Sequence, residues 1–144
     1  MRTFVISDAH GYPELIQNAL DHGGFWPGKD AFIYAGDLLD RGPEPAGCIE
    51  LVDRCATEVL FGNHELGVLL DYAVYPRTAE SFACRQVLFD RVLSLNEGTA
   101  WKAAACVEGV LVTHAGVSSE YERVFREECR GDVSLLAAHL NRSF

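Results

Sequence analysis

The stretch Ala31-Phe32-Ile33-Tyr34-Ala35-Gly36-Asp37-Leu38-Leu39-Asp40-Arg41-Gly42 decides how this chain folds. Ala31 to Ala35 is a short apolar run of strand-forming residues, and it reads as a strand buried in a sheet. Two carboxylates, a guanidinium and two glycines come directly after it. Chemistry-bearing residues are therefore concentrated at the carboxyl end of a strand, where open α/β sheets bind their ligands.

The same arrangement recurs on either side. Upstream, Thr3 to Ser7 is a β-rich run that ends in Asp8-Ala9-His10-Gly11. Pro13 then suits the first turn of a helix with Leu15, Ile16, Ala19 and Leu20 on one face, stopped by Gly23-Gly24. Downstream, Pro43 and Pro45 open a helix carrying Cys48, Val52 and Cys55 on one side. Glu58 to Phe61 is a third strand, ending in Gly62-Asn63-His64-Glu65. Helices are predicted from there to about Leu95, with Cys84, Leu88, Val92 and Leu95 in helical spacing.

The pattern then changes. Ala100 to Val107 and Val110 to Thr113 flank Glu108-Gly109 and read as the two arms of a hairpin. The second arm ends in His114-Ala115-Gly116. Ser119 with Glu122 forms a capping-box pattern, and Gly131 precedes a last helix with Val133, Leu136 and Leu140. The order strand-helix-strand-helix-strand predicts an α/β domain built on a parallel sheet with right-handed crossovers.

Composition narrows the function classes. The chain has 144 residues, enough for one domain or most of one. It is 49% hydrophobic, so it forms a core rather than a disordered chain. A net charge of −9 with scattered basic residues argues against nucleic acid as a partner. Five cysteines, with no Cys-x-x-Cys, fit reduced thiols that act as small buried hydrophobes. Only Phe4-Val5-Ile6 is apolar near the start, and no stretch is long enough to span a membrane, so a cytoplasmic location is the expectation.

The strand-end clusters supply Asp8, His10, Asp37, Asp40, Asn63, His64 and His114. Mixed carboxylate, amide and imidazole donors suit divalent metals of intermediate hardness, and the absence of thiolate argues against a structural zinc site. Two such ions about 3.5–4 Å apart, sharing a water, promote in-line displacement at phosphorus. Arg41 beside them offers a planar fork for a phosphoryl group. Taken singly, Asp-x-His and Gly-Asp are common and His114 would more often be a hydrogen-bonded core histidine. Four clusters in one order, each after a strand, do not arise from such fragments by chance.

These blocks resemble the signature blocks of calcineurin-like metallophosphoesterases, and Asp40-Arg41-Gly42 is similar to the serine/threonine phosphoprotein phosphatase branch in its compact bacterial and phage form. The resemblance spans Asp8 to Gly116. It implies a metallophosphoesterase-type β-sandwich flanked by helices, and two divalent metal ions, manganese first, with iron, zinc or magnesium compatible. It implies that Asp8 and His10 bind one metal, Asp37 bridges, and Asn63 and His114 bind the other. It implies His64 as general acid oriented by Asp40, substrate phosphate on Arg41 and Asn63, and a metal-bridging hydroxide as nucleophile. An imidazolium is suited to donating a proton near neutral pH.

The expected substrate by this resemblance is phosphoserine or phosphothreonine in proteins. The alternatives are a small phosphoester, notably a dinucleoside polyphosphate, or a metal-binding regulatory relative with weak catalysis. The family's last block, a Gly-His pair preceded by a further arginine, has no counterpart in residues 1–144, nor do later strands of the second sheet. A truncated gene product, a natural short form, and a partner, such as a second copy, that completes the site are the three explanations. His139, on an amphipathic helix, is expected to be structural, as is His22 at a helix end.

Overall fold

The computed structural model describes residues 1–72, 76–93 and 101–143. Four parallel strands form the main sheet in the order β1 (Thr3–Ile6), β2 (Ala31–Tyr34), β3 (Glu58–Leu60), β4 (Trp101–Lys102). Their register runs Phe4 opposite Phe32, Tyr34 opposite Val59, and Val59 opposite Trp101. A second, antiparallel sheet consists of β5 (Ala104–Val107) and β6 (Val110–Thr113), joined through Glu108-Gly109.

Alternation along β2 and β3 divides the interior into two layers. Phe32, Tyr34 and Val59 face one core, shared with Ile16 and Leu20 of α1 (Pro13–Gly23) and Cys48, Ile49 and Val52 of α2 (Pro45–Cys55). Val68 and Leu69 of α3 (Asn63–Leu69), Cys84 beyond α4 (Ala79–Ala83) and Leu88 of α5 (Arg85–Leu93) complete it. Ile33, Ala35 and Leu60 face the other way, onto Ala105, Val107 and Val112 of the second sheet. The β-sandwich flanked by helices is thus present. Both faces of β2 and β3 are covered, which is why these strands read as apolar runs, whereas Val5 of β1 is half exposed on the second face.

Several local expectations need correction. Of the four residues predicted for the inner face of α1, only Ile16 and Leu20 are buried, while Leu15 and Ala19 are exposed. The helix meets α2 and β1 along an i, i+4 stripe narrower than its apolar spacing suggests. The predicted first hairpin arm is broken at Ala103: Trp101–Lys102 joins β3, and only Ala104–Val107 joins β6. Asn141, on α7 (Val133–Ser143), holds the break open. Its Oδ1 accepts from Ala103 N–H at 2.8 Å and Ala104 N–H at 2.9 Å, and its Nδ2 donates to Ala104 O at 2.8 Å.

The capping box at Ser119 does not form. The helix after β6 starts at Tyr121, α6 (Tyr121–Arg123), with no side-chain cap, and Ser118 and Ser119 accept through their carbonyls. It widens at once into a π-turn over Val124–Glu128. Leu95 and Ala100 lie outside the described residues. The five cysteines are free, with Cys48, Cys84 and Cys129 buried. No helix among the described residues is long and apolar enough to cross a membrane.

Candidate metal centre

The loops after β1 and β2 are stitched to each other by backbone hydrogen bonds. Asp8, His10 and Gly11 donate to Gly36, Asp37 and Leu38, at 3.0, 3.1 and 2.7 Å. Gly42 and Glu44 donate back to His10 and Gly11, at 2.8 and 3.0 Å. So close an approach demands glycine: a Cβ on Gly11 would lie 2.7 Å from Gly42 O. Asp8, His10, Asp37, Asp40 and Arg41 all adopt left-handed backbone conformations, with φ from 46° to 66°. L-residues avoid this region, and such strain concentrates at functional sites.

The strained loops turn His10, Asp37 and Asp40 inward and leave Asp8 and Arg41 exposed. His10 is buried, and its Nδ1–H donates to Leu39 O at 2.7 Å. A carbonyl only accepts, so this bond places the proton on Nδ1 and leaves Nε2 with a bare lone pair. That Nε2 is buried without a hydrogen-bond partner. It lies 3.7 Å from Asp37 Oδ2 and 3.8 Å from Asp8 Oδ1. His114 repeats the arrangement. Its Nδ1–H donates to Ala35 O at 2.8 Å, and its Nε2 faces Asn63 Oδ1 at 3.0 Å and Asp37 Oδ1 at 3.4 Å.

His10, Asp37 and His64 bring donor atoms within 4.8 Å of one another, and Asp8, Asn63 and His114 lie at the edge of that cluster. Burying carboxylates and imidazole lone pairs together is unfavourable unless a cation lies among them. The donor set is nitrogen and oxygen only, which fits a divalent metal of intermediate hardness. Asp8, His10, Asp37, Asn63 and His114 are the five residues the sequence predicted as ligands, and the fold brings all five together.

His64 stands on the buried side. Its backbone N–H donates to Asp37 Oδ1 at 3.1 Å, and its ring meets that of His10 edge-on, 4.7 Å between centres. Nδ1 donates to Asp40 Oδ2 at 2.6 Å, which leaves Nε2 directed into the centre, 3.9 Å from Asp37 Oδ2. Asp40 is itself anchored: Thr78 N–H donates to its Oδ1 at 2.9 Å, and its own N–H donates to Ser81 Oγ at 2.6 Å. Arg41, next in sequence to Asp40, is exposed. His139 lies elsewhere, edge-on to Tyr121 and 4.0 Å from Glu128. His22 sits in the last turn of α1, at the expected helix end.

Sequence reading assigned no role to Glu65, Thr78 or Ser81. Glu65 is fully buried. Its Oε2 accepts from Gly62 and Asp37 N–H at 2.8 Å each, and its Oε1 from Leu38 at 2.8 Å and Leu39 at 3.2 Å. Burial, and then the Asp37 carboxylate, push its pKa up, while these backbone donors pull it back. One carboxylate therefore ties the β2 loop, with its strained Asp37, to the β3 loop. Glycine at position 62 is part of the same junction, because a Cβ there would fall 2.1 Å from Asp37 Oδ1. Tyr34, whose pKa burial raises, ties the β1 and β2 loops by accepting from Ala9 N–H and donating to Asp37 O.

Comparison with known proteins places this geometry. The Metallophos family, calcineurin-like phosphoesterase, matches residues 1–140. A symmetrical bis(5'-nucleosyl)-tetraphosphatase of Escherichia coli O1:K1 is 30% identical over 141 residues, 92% of this chain and 49% of that protein. Its counterpart in Enterobacter sp. strain 638 is 28% identical, over 96% of this chain and 51% of the relative. The chain therefore spans about half the length of the curated relatives it matches.

Among solved structures, a putative diadenosine tetraphosphatase superposes with a TM-score of 0.59 at 22% identity, over 81% of this chain and 50% of that one. A cold-active protein tyrosine phosphatase does so with a TM-score of 0.52 at 22% identity, over 98% and 50%. At these identities the likeness is one of fold. The curated relatives are named for dinucleoside tetraphosphates, so they do not carry the expectation of a phosphoprotein phosphatase branch. The strand-end clusters, the sandwich around them and the family match together show that this chain belongs to the calcineurin-like phosphoesterase family.

Proposed function

We propose that this chain carries the metal centre of a hydrolase that cleaves phosphoanhydride bonds in dinucleoside polyphosphates. The observation that carries the reading is the buried, partnerless His10 Nε2 beside the Asp8 and Asp37 carboxylates. The curated relatives, named for dinucleoside tetraphosphates, favour the substrate that the sequence held as an alternative over phosphoserine or phosphothreonine.

In this reading Asp8, His10, Asp37, Asn63 and His114 hold two divalent metals, manganese first and iron, zinc or magnesium next. Bound there, the metals supply Lewis acidity and an activated water for displacement at phosphorus. The chain's own groups do the rest. Leu39 O and Ala35 O fix His10 and His114 in the tautomer that presents Nε2. Asp40 orients His64 so that Nε2 delivers a proton to the oxygen leaving phosphorus. Arg41 takes a phosphoryl group of the substrate, and Asn63 assists it.

The test is hydrolysis of diadenosine tetraphosphate by the purified chain with Mn²⁺ and with chelator, alongside metal stoichiometry. A phosphoseryl peptide serves as the competing substrate. Metal-dependent turnover of the dinucleotide is expected, lost together with metal in Asp37→Asn. His64→Asn is expected to lower turnover by about 10²–10⁴-fold while metal stays bound. Preference for the phosphopeptide would overturn the substrate assignment, and metal binding without any hydrolysis would overturn the hydrolase reading.

A further inference from the structure

A cavity of about 430 Å³ opens beside the metal centre, and Asn63 and His114 form its near wall. The side away from the centre is built differently. Tyr121 and Leu140 add aromatic and apolar surface to that of Phe61 and Leu66, Ser118 adds a hydroxyl, and Ser143, whose Oγ donates to His139 O at 3.0 Å, offers an acceptor. Among the described residues no lysine or arginine lines it. A second phosphate would find neither charge nor a nest of donors there. A planar heterocycle with polar edges would find both an aromatic wall and hydrogen-bonding partners, in a space of the usual size for a small ligand.

We infer that this cavity takes one nucleoside of the substrate, its base against Tyr121 and its polar edge toward Ser118 and Ser143. The phosphate chain then leads past Asn63 and His114 into the centre. The inference rests on the dinucleoside polyphosphate reading above and extends it to the residues that recognise the nucleoside. Two features preorganise the wall. Tyr121 stands edge-on to His139, with 6.1 Å between ring centres and 78° between planes. Leu140 and Ser143 belong to α7, which packs on β5 and β6. The loop after β6 leaves room: a Cβ on Gly116 would meet no atom within 4 Å.

The probe is adenosine itself, titrated into the metal-loaded chain and followed by amide chemical shifts. Shifts centred on Tyr121, Leu140 and Ser143 are expected. Tyr121→Ala is expected to weaken adenosine binding about tenfold, the usual scale for losing a base-stacking ring. Gly116→Phe, which adds bulk at the cavity lining, is expected to weaken it at least as much, with an unchanged circular dichroism spectrum. The KM for diadenosine tetraphosphate should rise in parallel in both variants.

Adenosine that leaves these residues unshifted, or that binds both variants as well as the parent, overturns the inference. The hydrolase reading has separate outcomes. If the dinucleotide is hydrolysed while adenosine misses the cavity, only the nucleoside assignment falls. If adenosine binds there and no dinucleotide is hydrolysed, the cavity remains a nucleoside site and the hydrolase reading falls.

Discussion

Replacing Glu65 by Gln isolates what one buried carboxylate contributes to the centre. Each oxygen of Glu65 accepts two backbone N–H groups: Leu38 and Leu39 on Oε1, Gly62 and Asp37 on Oε2. A glutamine amide can satisfy only one pair. Its NH₂ would confront the other two donors, leaving two buried N–H groups unmatched at about 1–3 kcal/mol each. Removing a charge that burial disfavours recovers part of this. The expected net loss is about 2–4 kcal/mol, a fall in Tm of roughly 6–15 °C for a chain of this size.

The same change loosens the backbone at Asp37, which sits at φ 62°. Mn²⁺ affinity should fall by about 10–100-fold, the scale on which supporting groups act at metal sites. Urea denaturation and metal titration by calorimetry measure the two effects. A variant within about 0.5 kcal/mol of the parent and unchanged in metal affinity would refute the reasoning. It would mean that the loops hold their strained shapes without Glu65.

Other parts of the fold carry expected outcomes of their own. Asp30 is held at a pKa of about 2, chiefly by its hydrogen bond to Arg2, which also donates to Gly23 O and Gly24 O. Because the folded value lies below the ordinary one, this contribution is complete above about pH 4 and is lost as pH falls toward 2. Asp30→Asn should therefore flatten the acid limb of a stability–pH curve over that window and lower stability above it. Gly36→Ala should disrupt the centre and lower stability by about 1–3 kcal/mol, because φ is 94° and the new Cβ would lie 2.5 Å from His114 Nδ1. Gly24→Ala, in open space at φ 65°, should cost only about 1 kcal/mol and leave metal binding intact; urea denaturation and metal titration compare the two glycine variants. Burial pushes the Cys48 thiol up to about 12, so iodoacetamide at pH 8 should modify it only as fast as the protein opens, as read by mass spectrometry.

The candidate ligands were legible because strand-end chemistry is a local signal. A short apolar run predicts a strand, and the residues just beyond it are then placed at the sheet edge. Asp8, His10, Asp37, Asn63 and His114 all obeyed that rule. The groups that support them were not legible, because they come from far along the chain. Glu65 was visible in its tetrapeptide, but its acceptor role toward Leu38 and Leu39 depends on two loops crossing. Thr78 and Ser81 reach Asp40 from about 40 positions away, on a short helix with no distinguishing sequence. The break at Ala103 arises from Asn141, whose amide takes the place of a strand partner. The π-turn at Val124–Glu128 follows the Ser119–Glu122 capping-box pattern, and such a pattern does not distinguish an α-turn from a π-turn.

The mutual stitching of the β1 and β2 loops also bears on how a cation gets in and out. Neither loop can swing away alone, because each holds the other through backbone bonds in both directions. The side chains of His10 and Asp37 are only 5% exposed and sit behind that seam. Asp8 is different, with its side chain 56% exposed, and Asn63 is exposed as well. A cation held at this site would therefore exchange with solvent past the outer pair, by rotation of side chains rather than by loop opening. If these residues hold a metal, its release would depend on the exposed Asp8 and Asn63 as well as on the buried His10 and Asp37.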